Sequence, residues 1–131
     1  MVLDTSAVLA ILLDEPERAS FVDIIQGADL RLMSAASYLE AAIIIDYRIG
    51  YEGDRDLRFF LTEAEIQVVP VTVDQVEVAR ATYRKFGRGY HPAGLNYGDC
   101  FAYALASTMR QPLLFKGNDL SRTDVARVAG A

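Results

Sequence analysis

The chain opens Met1-Val2-Leu3-Asp4-Thr5-Ser6-Ala7-Val8-Leu9-Ala10-Ile11-Leu12-Leu13, and the way this stretch divides decides the fold. Val2 and Leu3 with Met1 make a minimal apolar strand, and Ser6 to Leu13 reads as a short helix. Asp4 stands at the junction, as the cap of that helix or as a residue held over a site at the strand's end.

The same alternation continues outward. Pro16 to about Gln26 reads as a second helix, with Pro in its first turn and Gly27 after its end. A strand at Leu30–Met33 follows, and a helix opened by Ser34 or Ser37 runs to Arg48. Tyr51-Glu52-Gly53 reads as a turn before a helix over Asp54–Glu65, which leads into a strand over Ile66–Val71. Val73–Phe86 is helical, Gly87–Gly94 is a glycine-rich loop, Tyr97–Met109 is helical, and Pro112–Phe115 is the last strand. Strands alternating with helices in this way predict an α/β fold, a mostly parallel four- to five-stranded sheet flanked by helices on both faces.

At 131 residues, 52% of them apolar, the chain suits one domain spanning residues 1–131. SAVLAILL and AAIII are far shorter than the roughly 20 residues of a membrane-spanning helix, so no membrane role is expected. The single Cys100 offers neither an internal disulfide nor a cysteine-based zinc site, which fits a reducing, cytoplasmic setting. A net charge of −5 argues against a protein that simply coats nucleic acid. Its distribution qualifies that. Between Val78 and Gly98 there is no acid, whereas Arg80, Arg84, Lys85 and Arg88 are interleaved with Tyr83, Phe86, Tyr90 and His91. This strip is either a solvated helix face or a phosphate-binding surface, with Tyr90 and His91 able to stack on an unpaired base. His91 has no partner histidine and makes a poor general base.

In an open parallel sheet, chemistry gathers beyond the carboxyl ends of the strands. Asp4 lies there. Asp119, in KGNDL, stands shortly after the last strand, and Asp124, in RTDVARV, is its reserve or an acid in a last helical turn. Ser37-Tyr38-Leu39-Glu40 has the spacing of a capping box, as does Asn96 to Asp99. Taken singly, each acid reads as a cap; together near one sheet edge they form something else. Two carboxylates about 5 Å apart repel by roughly 3 kcal/mol at an effective dielectric near 20, so such a cluster calls for a proton or a cation. All-oxygen ligands suit Mg²⁺, with Mn²⁺ as a substitute, and point to metal-assisted phosphodiester cleavage.

The segments VLDTSAVLAILLDEPE, SAASYLEAAIII, GLNYGDCFAYALA and PLLFKGNDLSRTDV, in this order, resemble the PIN-domain ribonucleases of the VapC toxin family over nearly the whole chain. The resemblance implies a Mg²⁺-dependent endoribonuclease acting on RNA, a homodimer, and inhibition by a VapB-type antitoxin. It places the family's acids on Asp4, Glu40 and Asp99. The fourth falls on Asp119, because Gly117 occupies the place where many members carry it; Asp124 is the alternative. Ser6 and Asn96 match supporting residues beside the first and third acids, and Lys116 is a candidate phosphate contact. A phosphoacceptor receiver domain fits poorly, since it needs paired acids after the first strand, and a haloacid-dehalogenase-type phosphatase needs an aspartate where Ser6 stands. An RNA-processing nuclease outside a toxin pair and a non-catalytic binding module remain as alternatives.

Overall fold

The computed structural model describes residues 1–131. One sheet contains β1 (Val2–Leu3), β2 (Leu32–Ser34), β3 (Gln67–Val69) and β4 (Leu113–Leu114). Their order is β3-β2-β1-β4, and every pairing is parallel. Six helices surround it: α1 (Thr5–Leu12), α2 (Arg18–Gln26), α3 (Ala35–Arg48), α4 (Tyr51–Glu63), α5 (Val73–Phe86) and α6 (Tyr97–Met109). No helix is long and apolar enough to cross a membrane.

The strands are short, and β1, β2 and β4 each give one apolar side chain to the core on either face. Val2, Leu32 and Leu113 join a core with Ala79 and Phe86 of α5 and Ala102 and Leu105 of α6. Their neighbours Leu3, Met33 and Leu114 point the other way, into a core with Ala7 and Val8 of α1, Phe21 of α2, Ala41 of α3 and Leu57 of α4. The two-residue period of a strand therefore feeds two cores from one continuous apolar run, as expected of a parallel sheet covered on both faces.

Three local expectations change. Pro16 lies outside α2, whose N-cap position is taken by Glu17 without a side-chain capping bond. Tyr51-Glu52-Gly53 is the first turn of α4, not a turn before it, because Gly50 (φ 89°) makes the reversal. Gly53 serves packing: a Cβ there would come 2.4 Å from Ile45 Cγ2 and 3.0 Å from Ile49 Cβ, so its absence lets α4 close on the end of α3. Finally, Ser34 caps α3, its Oγ accepting from the Ala36 N–H at 3.2 Å. The Ser37–Glu40 capping box does not form, and Glu40 sits in the helix's second turn.

All four strands run the same way, so their carboxyl ends share one edge. Asp4 follows β1 directly, α3 begins directly after β2, and the segment carrying Lys116 and Asp119 follows β4.

Candidate active site

Asp4 occupies the N-cap of α1 in an extended conformation. Its Oδ2 accepts from the Ser6 N–H at 3.0 Å and from the Ser6 hydroxyl at 2.6 Å. The Ser6 oxygen in turn accepts from the Lys116 backbone N–H at 2.9 Å, tying the start of α1 to the chain leaving β4. Only 4% of Asp4 is exposed. Burial pushes its carboxyl above the usual range, the Ser6 hydrogen bonds pull it down, and the charge of Glu40 raises it again.

Asp99 sits at the third position of α6, in a true capping box. Its Oδ2 accepts from the Asn96 N–H and its own N–H donates to Asn96 Oδ1, both at 2.9 Å. The cap uses one carboxylate oxygen and leaves Oδ1 outside it. The Asp99 carboxyl is raised to about 6, first by burial; the Asn96 bond opposes this, and the charges of Asp4, Asp119 and Glu40 add to it. An aspartate that closes a helix end therefore also feels three other acids.

Glu40 reaches this place through a residue that the sequence did not single out. A Cβ on Gly98 would fall 2.2 Å from Glu40 Oε2 and 2.9 Å from Oε1. The glutamate head thus lies against the first turn of α6, where the helix dipole favours an anion. The glycine's place inside a helix, with no turn to make, is the signal that was available. Ser37, expected to cap the helix, takes a different place. It is 1% exposed, its Oγ has no hydrogen-bond partner, and it lies one turn before Glu40 on the same face of α3. Its carbonyl accepts from Thr5 Oγ1 at 3.1 Å, next to Asp4. Asp119 is exposed, two residues beyond Gly117 (φ 100°).

No three acidic side chains are drawn tightly enough to grip an ion as they stand. The donors nonetheless fit Mg²⁺ or Mn²⁺, because such ions keep several waters and take one or two carboxylates directly instead of filling a closed protein cage. The glycine cradle under Glu40 and the unpartnered Ser37 hydroxyl fit the same kind of hydrated ion.

Without a divalent ion, the raised Asp99 carboxyl binds its proton more tightly in the folded chain than in the unfolded one. Stability then falls as pH rises through about 4 to 6 and levels off above. The fold should be steadier at pH 5 than at pH 7.5 by about 1 kcal/mol from this group, with allowance for its solvent-facing side. Asp4 is shifted the same way, so Asp99→Asn should shrink the difference without removing it. Thermal unfolding in EDTA at the two pH values checks this; an identical pH dependence in parent and variant contradicts it.

Other candidates lie elsewhere. Asp124 is not a cluster member: it is exposed, accepts from the Tyr103 hydroxyl, and pairs with Lys85 at 3.2 Å. Nor does it end a helix, since only the short 3₁₀ turn Leu120–Arg122 precedes it. The Lys116 ammonium is held by Glu15 and, at 3.1 Å, by Glu17. His91 has local partners: its Nδ1 accepts from the Ala93 N–H at 3.0 Å, and its ring meets Phe86 edge-on at 5.1 Å. Lys85, besides pairing with Asp124, lies over the Phe86 ring. Arg84, Arg88 and Tyr90 are exposed. Arg84 and Tyr90 also border a groove of about 770 Å³ between α5 and α6, lined by Tyr83, Tyr97 and Phe101.

The PIN domain family model matches residues 1–126. Ribonuclease VapC30 of Mycobacterium tuberculosis is 52% identical over 129 residues, 98% of each chain. Ribonuclease VapC of Mycolicibacterium smegmatis is 52% identical over 128 residues, 98% of this chain and 99% of the relative. Among solved structures, M. tuberculosis VapC20, described as a sarcin-ricin-loop-cleaving toxin, superposes with a TM-score of 0.79 at 15% identity, covering 97% of both chains. A toxin-antitoxin complex from Klebsiella pneumoniae gives 0.72 at 14% identity, covering 94% of this chain and 92% of that one. At such identities these two structures speak to the fold alone.

Proposed function

The chain belongs to the PIN-domain family and, within it, to the VapC ribonucleases, and on that footing we propose that it is a metal-dependent endoribonuclease, the toxin of a VapBC-type pair. The observation that carries the reading is the meeting of acids from separate segments beyond one sheet edge: the Glu40 head lies against Gly98, next to Asp99, and the Asp99 carboxyl, raised first by burial, is raised further by the charges of Asp4, Asp119 and Glu40.

In this reading Asp4, Glu40 and Asp99 hold a hydrated Mg²⁺ or Mn²⁺, with Asp119 at the margin. When bound, such an ion offsets charge developing on the scissile phosphate and acidifies the attacking water. The chain's own part is positioning. Ser6 fixes one oxygen of Asp4, Asn96 fixes one oxygen of Asp99, and each leaves the other oxygen for the site. The missing side chain of Gly98 seats Glu40 opposite them. Bare, the four acids repel a phosphodiester, so substrate binding depends on the cation and on positive charge nearby. Arg84, Arg88 and Tyr90 supply that charge and a stacking ring for single-stranded RNA.

For protein partners, a homodimer and a VapB-type antitoxin remain part of the proposal. Leu39, Ile43 and Tyr47, four residues apart on α3 and 59%, 58% and 92% exposed, give an apolar stripe suited to burial by another chain.

Cleavage of a mixed RNA pool tests the reading, with Mg²⁺, with EDTA, and with Asp99→Asn. Cutting that requires both the ion and Asp99 supports it. Cutting that survives EDTA, or none by the parent under any condition, overturns it.

A further inference from the structure

We infer that Lys116 is a positioning residue of this site, a latch gripped at its backbone by Ser6 and at its ammonium by Glu15 and Glu17, which keeps Asp4 and the Asp119 loop in place. The inference rests on the assignment of Asp4, Glu40, Asp99 and Asp119 as the site's acids, and it replaces the phosphate contact expected for this lysine.

Two grips on one residue make the case. The Lys116 N–H donates to Ser6 Oγ at 2.9 Å, and that hydroxyl donates to Asp4 Oδ2 at 2.6 Å. Asp4's own N–H donates to the Leu114 carbonyl at 2.9 Å, so the chain on either side of the β1–β4 pairing is fixed at this edge. The side chain then reaches across to the turn between α1 and α2. There Glu15 accepts a hydrogen bond from the ammonium, and Glu17 forms an ion pair at 3.1 Å whose alignment falls short of a hydrogen bond.

Glu17 stands at the N-cap of α2 but does not cap it with its side chain; the carboxylate is turned toward the lysine instead. All three side chains are about one-third exposed, at 35%, 30% and 36%. That is too open for the ion pairs to contribute much to the fold. Directly after Lys116 the chain turns through Gly117 (φ 100°) into the segment that carries Asp119. Loosening the ammonium therefore leaves this corner on its backbone bond to Ser6 alone, and with it the groups that aim two of the four acids. Outer partners of this kind typically change metal affinity or activity by about 10–100-fold when removed.

The backbone bond to Ser6 survives any substitution except proline, so side-chain variants read the ammonium's grip alone. K116M and the double variant E15Q/E17Q should each lower kcat by about 10–100-fold and weaken Mn²⁺ binding, as read by calorimetry. Thermal unfolding and the KM for RNA should stay near the parent's. Because both changes open one latch, combining all three substitutions should add little to either. K116R, which keeps the ion pairs, should recover most of the lost activity.

A phosphate-contacting lysine gives the opposite pattern. K116M would then raise KM and weaken RNA binding in EDTA, while E15Q/E17Q would release the lysine and tighten RNA binding; that result overturns the latch. So does an E15Q/E17Q protein with the parent's kcat and Mn²⁺ affinity. A parent that fails to cut RNA overturns the nuclease reading instead, and the Mn²⁺ titrations still decide the latch by themselves.

Discussion

Asp99→Asn should lower Mg²⁺-supported RNA cleavage by about 10²–10³-fold or more, the equivalent of losing several kcal/mol of charge stabilisation at the reacting phosphate. The fold should persist. An asparagine side chain keeps the shape of the aspartate, and its carbonyl oxygen can still accept from the Asn96 N–H, so the capping box that starts α6 survives. What disappears is the negative charge shared with Asp4, Glu40 and Asp119. Asp124→Asn is the matched control, since Asp124 faces Tyr103 and Lys85 away from the site; its cleavage rate should stay near the parent's. Equal losses in the two variants would mean that general acidity, not this cluster, matters.

Gly98→Ala is the second large effect, and a sharper one because stability and activity should part. Alanine is the better helix former by about 0.5–1 kcal/mol, and nothing about this position requires glycine's backbone freedom. The added methyl group would overlap Glu40 Oε2, at 2.2 Å, and Cδ, at 2.8 Å. The far end of a glutamate moves cheaply, so the helix keeps its place and the carboxylate leaves. Cleavage should fall by about 10–100-fold, while the melting temperature holds or rises. Gly98→Ala added to Glu40→Gln should cost little more than Glu40→Gln alone, because both act on one carboxylate. A melting temperature that drops as far as the activity would show that Gly98 serves packing only.

The alternation of strands and helices was legible because the strands centre on short apolar pairs such as Val2–Leu3, Leu32–Met33 and Leu113–Leu114 and the helices between them are longer. The parallel sheet follows from that order, and with it the shared edge where Asp4 and Asp119 emerge. The offset of Asn96 and Asp99 was legible as a cap. That Glu40 comes to lie beside Asp99 depends on α3 and α6 meeting, which local spacing does not encode. Gly98 escaped notice for the same reason, since it matters only through Glu40 of another segment, and Ser37 was read as a cap because its contact with Thr5 is not visible locally. Glycine was also read too uniformly. Gly53 sits in a helix because Ile45 and Ile49 press against it, although in sequence it resembled a turn. Lys116 and Asp124 carried the right chemistry for their expected roles, and tertiary partners from distant segments engage both, whereas the contacts of His91 with Phe86 and Ala93 are local.

Anomalous scattering from Mn²⁺ in crystals of the protein tests most directly whether these acids form one cation site. The expected result is a peak bounded by the carboxylates of Asp4, Glu40 and Asp99, with Asp119 at its edge. Ordered Mn²⁺ bound only elsewhere, with Asp4 and Asp99 occupied by nothing beyond their own helix ends, would contradict it.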